Sequence, residues 1–161
     1  MGSGLYLGFD FGERRIGVAV GQLVTGTARA LETVSRPPRM GVGIHWPRIS
    51  ELLQVWQPQA LVVGMPLHLD GTPIPFGQRA QRFGQQLAGR YRLPVFFADE
   101  RLTSAAAASA LREQGRYRGE AIDAEAAAMI LTSWLEAQRR LYPNYLEMQV
   151  GGKVANPHEH R

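Results

Sequence analysis

The chain has no cysteine, almost no lysine and no long apolar run, and each shortage removes a class of function. Without cysteine there is no disulfide, no thiolate metal site and no cysteine nucleophile, so a metal would have to be held by oxygen or imidazole. No stretch reaches the roughly 18 to 20 consecutive apolar residues that a bilayer-spanning helix needs, and the N-terminus lacks the basic-then-apolar layout of a secretory signal. A cytoplasmic protein with no membrane partner is expected. Of the 18 basic residues only Lys153 is a lysine; the other 17 are arginines, within a net charge of +4 and a pI of about 10.0. The planar guanidinium fork matches phosphate oxygens two at a time, so the composition leans towards a polyanionic partner. A high-GC genome would produce the same bias with no functional meaning.

What is present reads as one ordinary globular domain of 161 residues, 45% hydrophobic and 20% charged. Residues 5–11 and 15–21 are alternating apolar runs, and TGTARALETV follows a short turn, so three strands in an antiparallel meander are expected. WPRISELLQVWQ spaces Ile49, Leu52, Leu53 and Trp56 as a helix does, with Pro47 near its start. ALVVGMP and LPVFFADE read as buried strands, FGQRAQRFGQQLAGRY as a polar, arginine-bearing helix, and TSAAAASALREQG and IDAEAAAMILTSWLEAQRR as two further helices. Helices alternating with buried strands imply an α/β fold, a mixed sheet with helices on its faces. Residues 1–140 are expected to form this domain and residues 141–161 a flexible tail.

Three acids stand out. Asp10 interrupts the apolar run LYLGFDFG, and strand alternation puts it on one face with Tyr6, Gly8 and Gly12, in a notch free of bulk. Its other possible role is to start the turn at Gly12 to Arg14. Asp99 and Glu100 end VFFADE, where open α/β sheets place ligands, and alternation sends them to opposite faces, so only one can share a site with Asp10. Asp123 opens the last long helix, above a stripe of Ala126, Ala127, Ile130 and Trp134 that is small near the acid; Glu125 is turned about 200° away, towards solvent. Aspartate is also favoured there by the helix dipole alone. If the meander is central and the last helix packs on its face, the carboxylates converge. Like charges about 4 Å apart repel by roughly 1 kcal/mol in water and about 4 kcal/mol at an intermediate dielectric, so without a cation at least one carboxylate should hold a proton. Oxygen-only ligands point to Mg²⁺ or Mn²⁺, and such an ion suits phosphodiester hydrolysis.

GFDFGERRIGVAVG, VVGMPLHLDGT, DERLTS and IDAEAAAMIL, in this order and at these separations, resemble the YqgF family of bacterial RNase H-like proteins, described as Holliday-junction resolvases and as pre-16S rRNA nucleases. The resemblance covers roughly residues 5–138. It implies a ribonuclease H-like fold with a five-stranded mixed sheet, and Asp10, Glu100 and Asp123 as catalytic, metal-binding acids. It also implies two ions bridged by Asp10, one orienting the attacking water and one stabilising the departing 3′ oxygen. The implied partner is nucleic acid, precursor rRNA or branched DNA, cut by a monomer or weak homodimer. Two departures are visible: His68 in PLHLDG stands where the family often has Asn, and GRYRGEAID replaces a longer, lysine-containing segment, which suggests Arg116 and Arg118 for phosphate contact.

Arg14 and Arg15 follow Asp10 on the turn and could clamp a phosphate; Arg79 and Arg82 sit three apart on a helix face and could track a backbone strand. Arg101 and Thr103 follow Glu100 and could orient it. Each also fits an ordinary solvated or capping role. His45, His158 and His160 read as surface residues. Two other classes compete: a binding module that keeps the fold without the chemistry, and a sugar kinase or actin-like ATPase, whose first phosphate loop resembles the DFG turn but which needs two such domains.

Overall fold

The computed structural model describes residues 4–36, 43–65, 75–99 and 120–142. Within them lie strands β1 (Leu5–Phe11), β2 (Arg15–Gln22) and β3 (Thr27–Ser35), helix α1 (Trp46–Trp56), strand β4 (Ala60–Met65), helix α2 (Pro75–Tyr91), strand β5 (Val95–Asp99) and helix α3 (Glu120–Leu141). The helix expected over residues 103–115 and the tail beyond Tyr142 lie outside the described residues. No described helix is long and apolar enough to cross a membrane.

The five strands form one mixed sheet in the order β3-β2-β1-β4-β5. Tight turns make β1, β2 and β3 antiparallel neighbours; β4 lies parallel to β1 and β5 parallel to β4, with α1 and α2 in the connections. Strand β1, which carries Asp10, is therefore the middle of the sheet.

Alternation then divides the core in two. Leu7, Phe9 and Phe11 of β1, Ile16, Val18 and Val20 of β2, and Leu61 and Val63 of β4 pack with α1 and α2 on one face. Tyr6, Ala19, Val62 and Ala98 pack with α3 on the other. Helix α3 lies close because the sheet has no bulk beneath it: a Cβ on Gly8 would stand 2.8 Å from the Cβ of Leu131. The small stripe of Ala126 and Ala127 is fully buried there, with Ile130 and Trp134 further along, and Glu125 is exposed.

Strand β4 is covered on both faces, as its uninterrupted apolar run implies. Strand β5 is not the buried strand that VFFADE suggests: it is the sheet's edge, most of its residues are only half buried, and Phe97 is 39% exposed. An edge strand has a neighbour on one side only, and apolar composition alone does not distinguish it from a central one. Helix α1 starts at His45, whose Nδ1 accepts a hydrogen bond from the Arg48 backbone N–H at 3.1 Å, so this exposed histidine caps the helix.

Candidate active site

The site begins with a strand pair. Asp10 of β1 lies directly opposite Gly17 of β2, and both belong to the face that α3 covers. Directly opposed residues of an antiparallel pair have Cα atoms about 4.5 to 5.5 Å apart. The missing side chain of Gly17 is occupied by the start of α3: a Cβ there would fall 1.8 Å from the carbonyl oxygen of Asp123 and 2.9 Å from the backbone nitrogen of Ala124. No other residue type allows that approach. The backbone of Asp123 is thus seated beside Asp10, and both residues are buried.

Arg15, the first residue of β2, shares this face by alternation with Gly17. Its Nε stands 2.8 Å from Asp123 Oδ2, which is buried. The N–H is not aligned on that oxygen, so the contact is held by charge rather than by a directed hydrogen bond. The Asp123 side chain is 6% exposed and that of Arg15 is 37% exposed, so the guanidinium reaches inward from the rim. Positive charge at this range offsets part of the cost of taking a carboxylate out of water.

The turn between β1 and β2 is closed by Gly12 N–H donating to the Arg15 carbonyl at 2.9 Å. Asp10 is therefore a strand residue facing α3 and does not start that turn. Arg36, which carries no distinguishing mark among 17 arginines, braces the turn from the other side of the sheet. It is buried, donates from Nε to the Gly43 carbonyl at 3.0 Å and from Nη1 to the Gly12 carbonyl at 2.8 Å, and lies 4.5 Å from the Phe11 ring centre. Its backbone N–H donates to the Arg14 carbonyl at 2.8 Å. Burial lowers the guanidinium's pKa, the Arg79 charge lowers it further, and Glu13 acts in the opposite direction.

Among the remaining candidates, Arg14 is exposed on the turn, and Arg79 and Arg82 are exposed on α2. Helix α2 packs on the face opposite α3, so Arg79 and Arg82 stand across the sheet from Asp10 and Asp123. Asp99 pairs in register with Met65 and alternates with Ala98, which faces α3; Asp99 therefore belongs to the other face. Glu100, Arg101, Thr103, Arg116, Arg118 and His68 lie outside the described residues. Among the described residues, no three His, Asp or Glu side chains gather as metal ligands; the described part of the candidate site is the pair Asp10 and Asp123.

The chain is 50% identical over 134 residues to a Pseudomonas aeruginosa protein named as a candidate pre-16S rRNA nuclease, covering 81% of this chain and 91% of that protein. A Burkholderia ambifaria protein of the same name is 49% identical over 133 residues, covering 81% and 87%. Among solved structures, Thermus thermophilus RuvC in complex with a Holliday junction substrate superposes with a TM-score of 0.54 at 23% identity, over 83% of this chain and 95% of that one. RuvC alone gives 0.53. These structures share the RNase H-like fold with this chain. With residues 4–137 matching the RuvX model, described as Holliday junction resolvase, the chain belongs to the RuvX (YqgF) family.

Proposed function

We propose that the chain is a metal-dependent endonuclease that hydrolyses phosphodiester bonds in structured nucleic acid, with Asp10, Glu100 and Asp123 as its carboxylate set. The observation that carries this reading is the seat of Asp123 of α3 on Gly17 of β2, the cross-strand partner of Asp10, which brings two buried aspartates to one place. Aspartate pairs of this kind suit a hard divalent cation such as Mg²⁺ or Mn²⁺, in the two-ion arrangement that the family resemblance implies. The third carboxylate, Glu100, is taken from the family resemblance, since it lies outside the described residues.

A bound divalent ion supplies hydroxide at neutral pH and offsets the charge that builds on the phosphate. The rest is the work of the chain. Asp10 and Asp123 hold their oxygens in place from a strand and a helix, both rigid elements. Arg36 fixes the turn that follows Asp10. Arg14 offers an exposed cation beside the site for a phosphate, with Arg101, Arg116 and Arg118 assigned the same task. Arg79 and Arg82 would meet a strand that passes over the α2 side.

The names of the relatives favour precursor 16S rRNA, cut to mature its 5′ end in the cytoplasm. The description of the matching family model favours a second substrate, the four-way DNA junction. The test is cleavage of labelled precursor rRNA and a labelled junction, with Mg²⁺, Mn²⁺ or EDTA, by wild type and Asp10→Asn. Cutting of the rRNA that needs metal and is lost in Asp10→Asn is expected. Equal cutting by both proteins would remove Asp10 from the mechanism.

A further inference from the structure

We propose that Arg15 is a built-in counter-ion for Asp123 that a divalent cation must displace, and that the displaced guanidinium takes a phosphate of the nucleic acid, coupling metal and substrate binding. This rests on the metal-dependent reading above and adds a role for a residue that does not itself hold metal.

Three observations lead to it. First, the Asp123 carboxylate is buried and Arg15 Nε is 2.8 Å from its inner oxygen, so in the free protein the guanidinium neutralises this acid. A dication on the same carboxylate would face a full positive charge at close range, and the two compete. Second, the contact is one of charge without an aligned hydrogen bond, which a small dication replaces more readily than a bidentate fork. Third, Arg15 enters from the rim with over a third of its side chain exposed, while its backbone is fixed by Gly12 N–H and by pairing with Ser35. The side chain can swing outward without disturbing β2, whereas Asp123 is pinned at Gly17 and cannot follow.

Outside, the guanidinium loses its carboxylate and regains a partner only when an anion arrives. A phosphate at the mouth of the site meets that need bidentately. Nucleic acid therefore favours the state in which Asp123 is open to metal, and metal favours the state in which Arg15 is open to phosphate. Such coupling is reciprocal in binding free energy and typically amounts to about 5- to 150-fold. It also keeps the free protein weakly loaded with metal, so the complete site forms on the substrate.

The experiment is Mn²⁺ titration by calorimetry and electron paramagnetic resonance. It uses wild type, Arg15→Gln and Arg15→Lys, each with and without an RNA hairpin carrying nuclease-resistant phosphorothioate linkages. Wild type is expected to bind Mn²⁺ about tenfold more tightly with the hairpin present. Arg15→Gln should bind Mn²⁺ about tenfold more tightly than wild type when alone and gain little from the hairpin. Arg15→Lys keeps a competing charge without the fork and should fall between, which preserves the test if the glutamine variant does not fold. Mn²⁺ affinity that is unchanged or weaker in both variants would overturn the counter-ion role while leaving the metal reading intact. Mn²⁺ binding to none of the proteins would overturn both.

Discussion

The carbonyl oxygen of Asp123 lies 1.8 Å from where a Cβ on Gly17 would stand, so the start of α3 rests on the bare backbone of β2. The consequence is positional. Asp10 is the cross-strand partner of Gly17, and one missing methyl group sets how near the two acids come.

Gly17→Ala should therefore separate them. The neighbour is backbone, which cannot rotate away, so α3 must lift; overpacking of this kind costs about 1 to 3 kcal/mol. Thermal unfolding should show that loss, and metal-dependent cleavage should fall more steeply than stability, because Asp123 moves with the helix. Gly89→Ala is the contrast. Gly89 lies in α2 with nothing within 4 Å of an added Cβ, so alanine there should stabilise by up to about 1 kcal/mol and leave cleavage unchanged.

Arg36→Met should loosen the turn behind Asp10. The substitution keeps bulk over Phe11 but removes the donors to the Gly12 and Gly43 carbonyls. Hydrogen bonds from a charged donor contribute about 1.5 to 3 kcal/mol each, so a loss of a few kcal/mol is expected by urea unfolding. Arg36→Lys should rescue little, since an ammonium has neither the fork to reach both carbonyls nor the plane to stack on the ring. Recovery by lysine would show that charge alone is what Arg36 supplies.

Much of the fold was legible in the sequence because it rests on local periodicity. Alternation in residues 5–11 and 15–21 and the 3.6-residue spacing in residues 122–140 are properties of short windows, and they located β1, β2 and α3. Alternation also implied that only one of Asp99 and Glu100 could share a face with Asp10, and the structure puts Asp99 on the other face. The long-range devices were not visible. Gly17 matters through a residue over a hundred positions away, Arg36 through Gly12, and the Arg15 contact with Asp123 joins the start of β2 to a helix. An arginine on a turn reads the same whether it is solvated or held against a buried carboxylate. The edge position of β5 was likewise hidden, because strand order is not written in the composition of any one strand.

Acid should loosen the joint between α1 and β3. Arg48 of α1 reaches Glu32 of β3 with two guanidinium nitrogens, one at 2.6 Å, and Glu51 with a third at 2.8 Å. The hydrogen bond from Arg48 holds the Glu32 pKa below the usual range, against a smaller opposing effect of burial. A depressed carboxylate stabilises the fold fully above the ordinary glutamate pKa of about 4.3, and that stability is lost as pH falls through the lower folded value. Melting temperature should therefore drop more steeply below about pH 4 in wild type than in Glu32→Gln. Parallel curves for the two proteins would mean that the pair contributes nothing to folding.

Metal should stabilise the wild-type fold and not a variant lacking Asp10. A ligand that binds only the native state adds RT ln(1 + [L]/Kd), which is about 2.7 kcal/mol at a hundredfold excess over Kd. If Asp10 and Asp123 hold the ion as proposed, they offer Mn²⁺ oxygen ligands that the unfolded chain cannot hold together. Wild type should thus melt several degrees higher in excess Mn²⁺ than in EDTA. Asp10→Asn keeps the shape but removes one negative charge, so its two melting curves should nearly coincide while its circular dichroism stays that of the wild type. An equal Mn²⁺ shift in both proteins would place the bound ion away from Asp10, because an ion held by that carboxylate must lose affinity when its charge is removed.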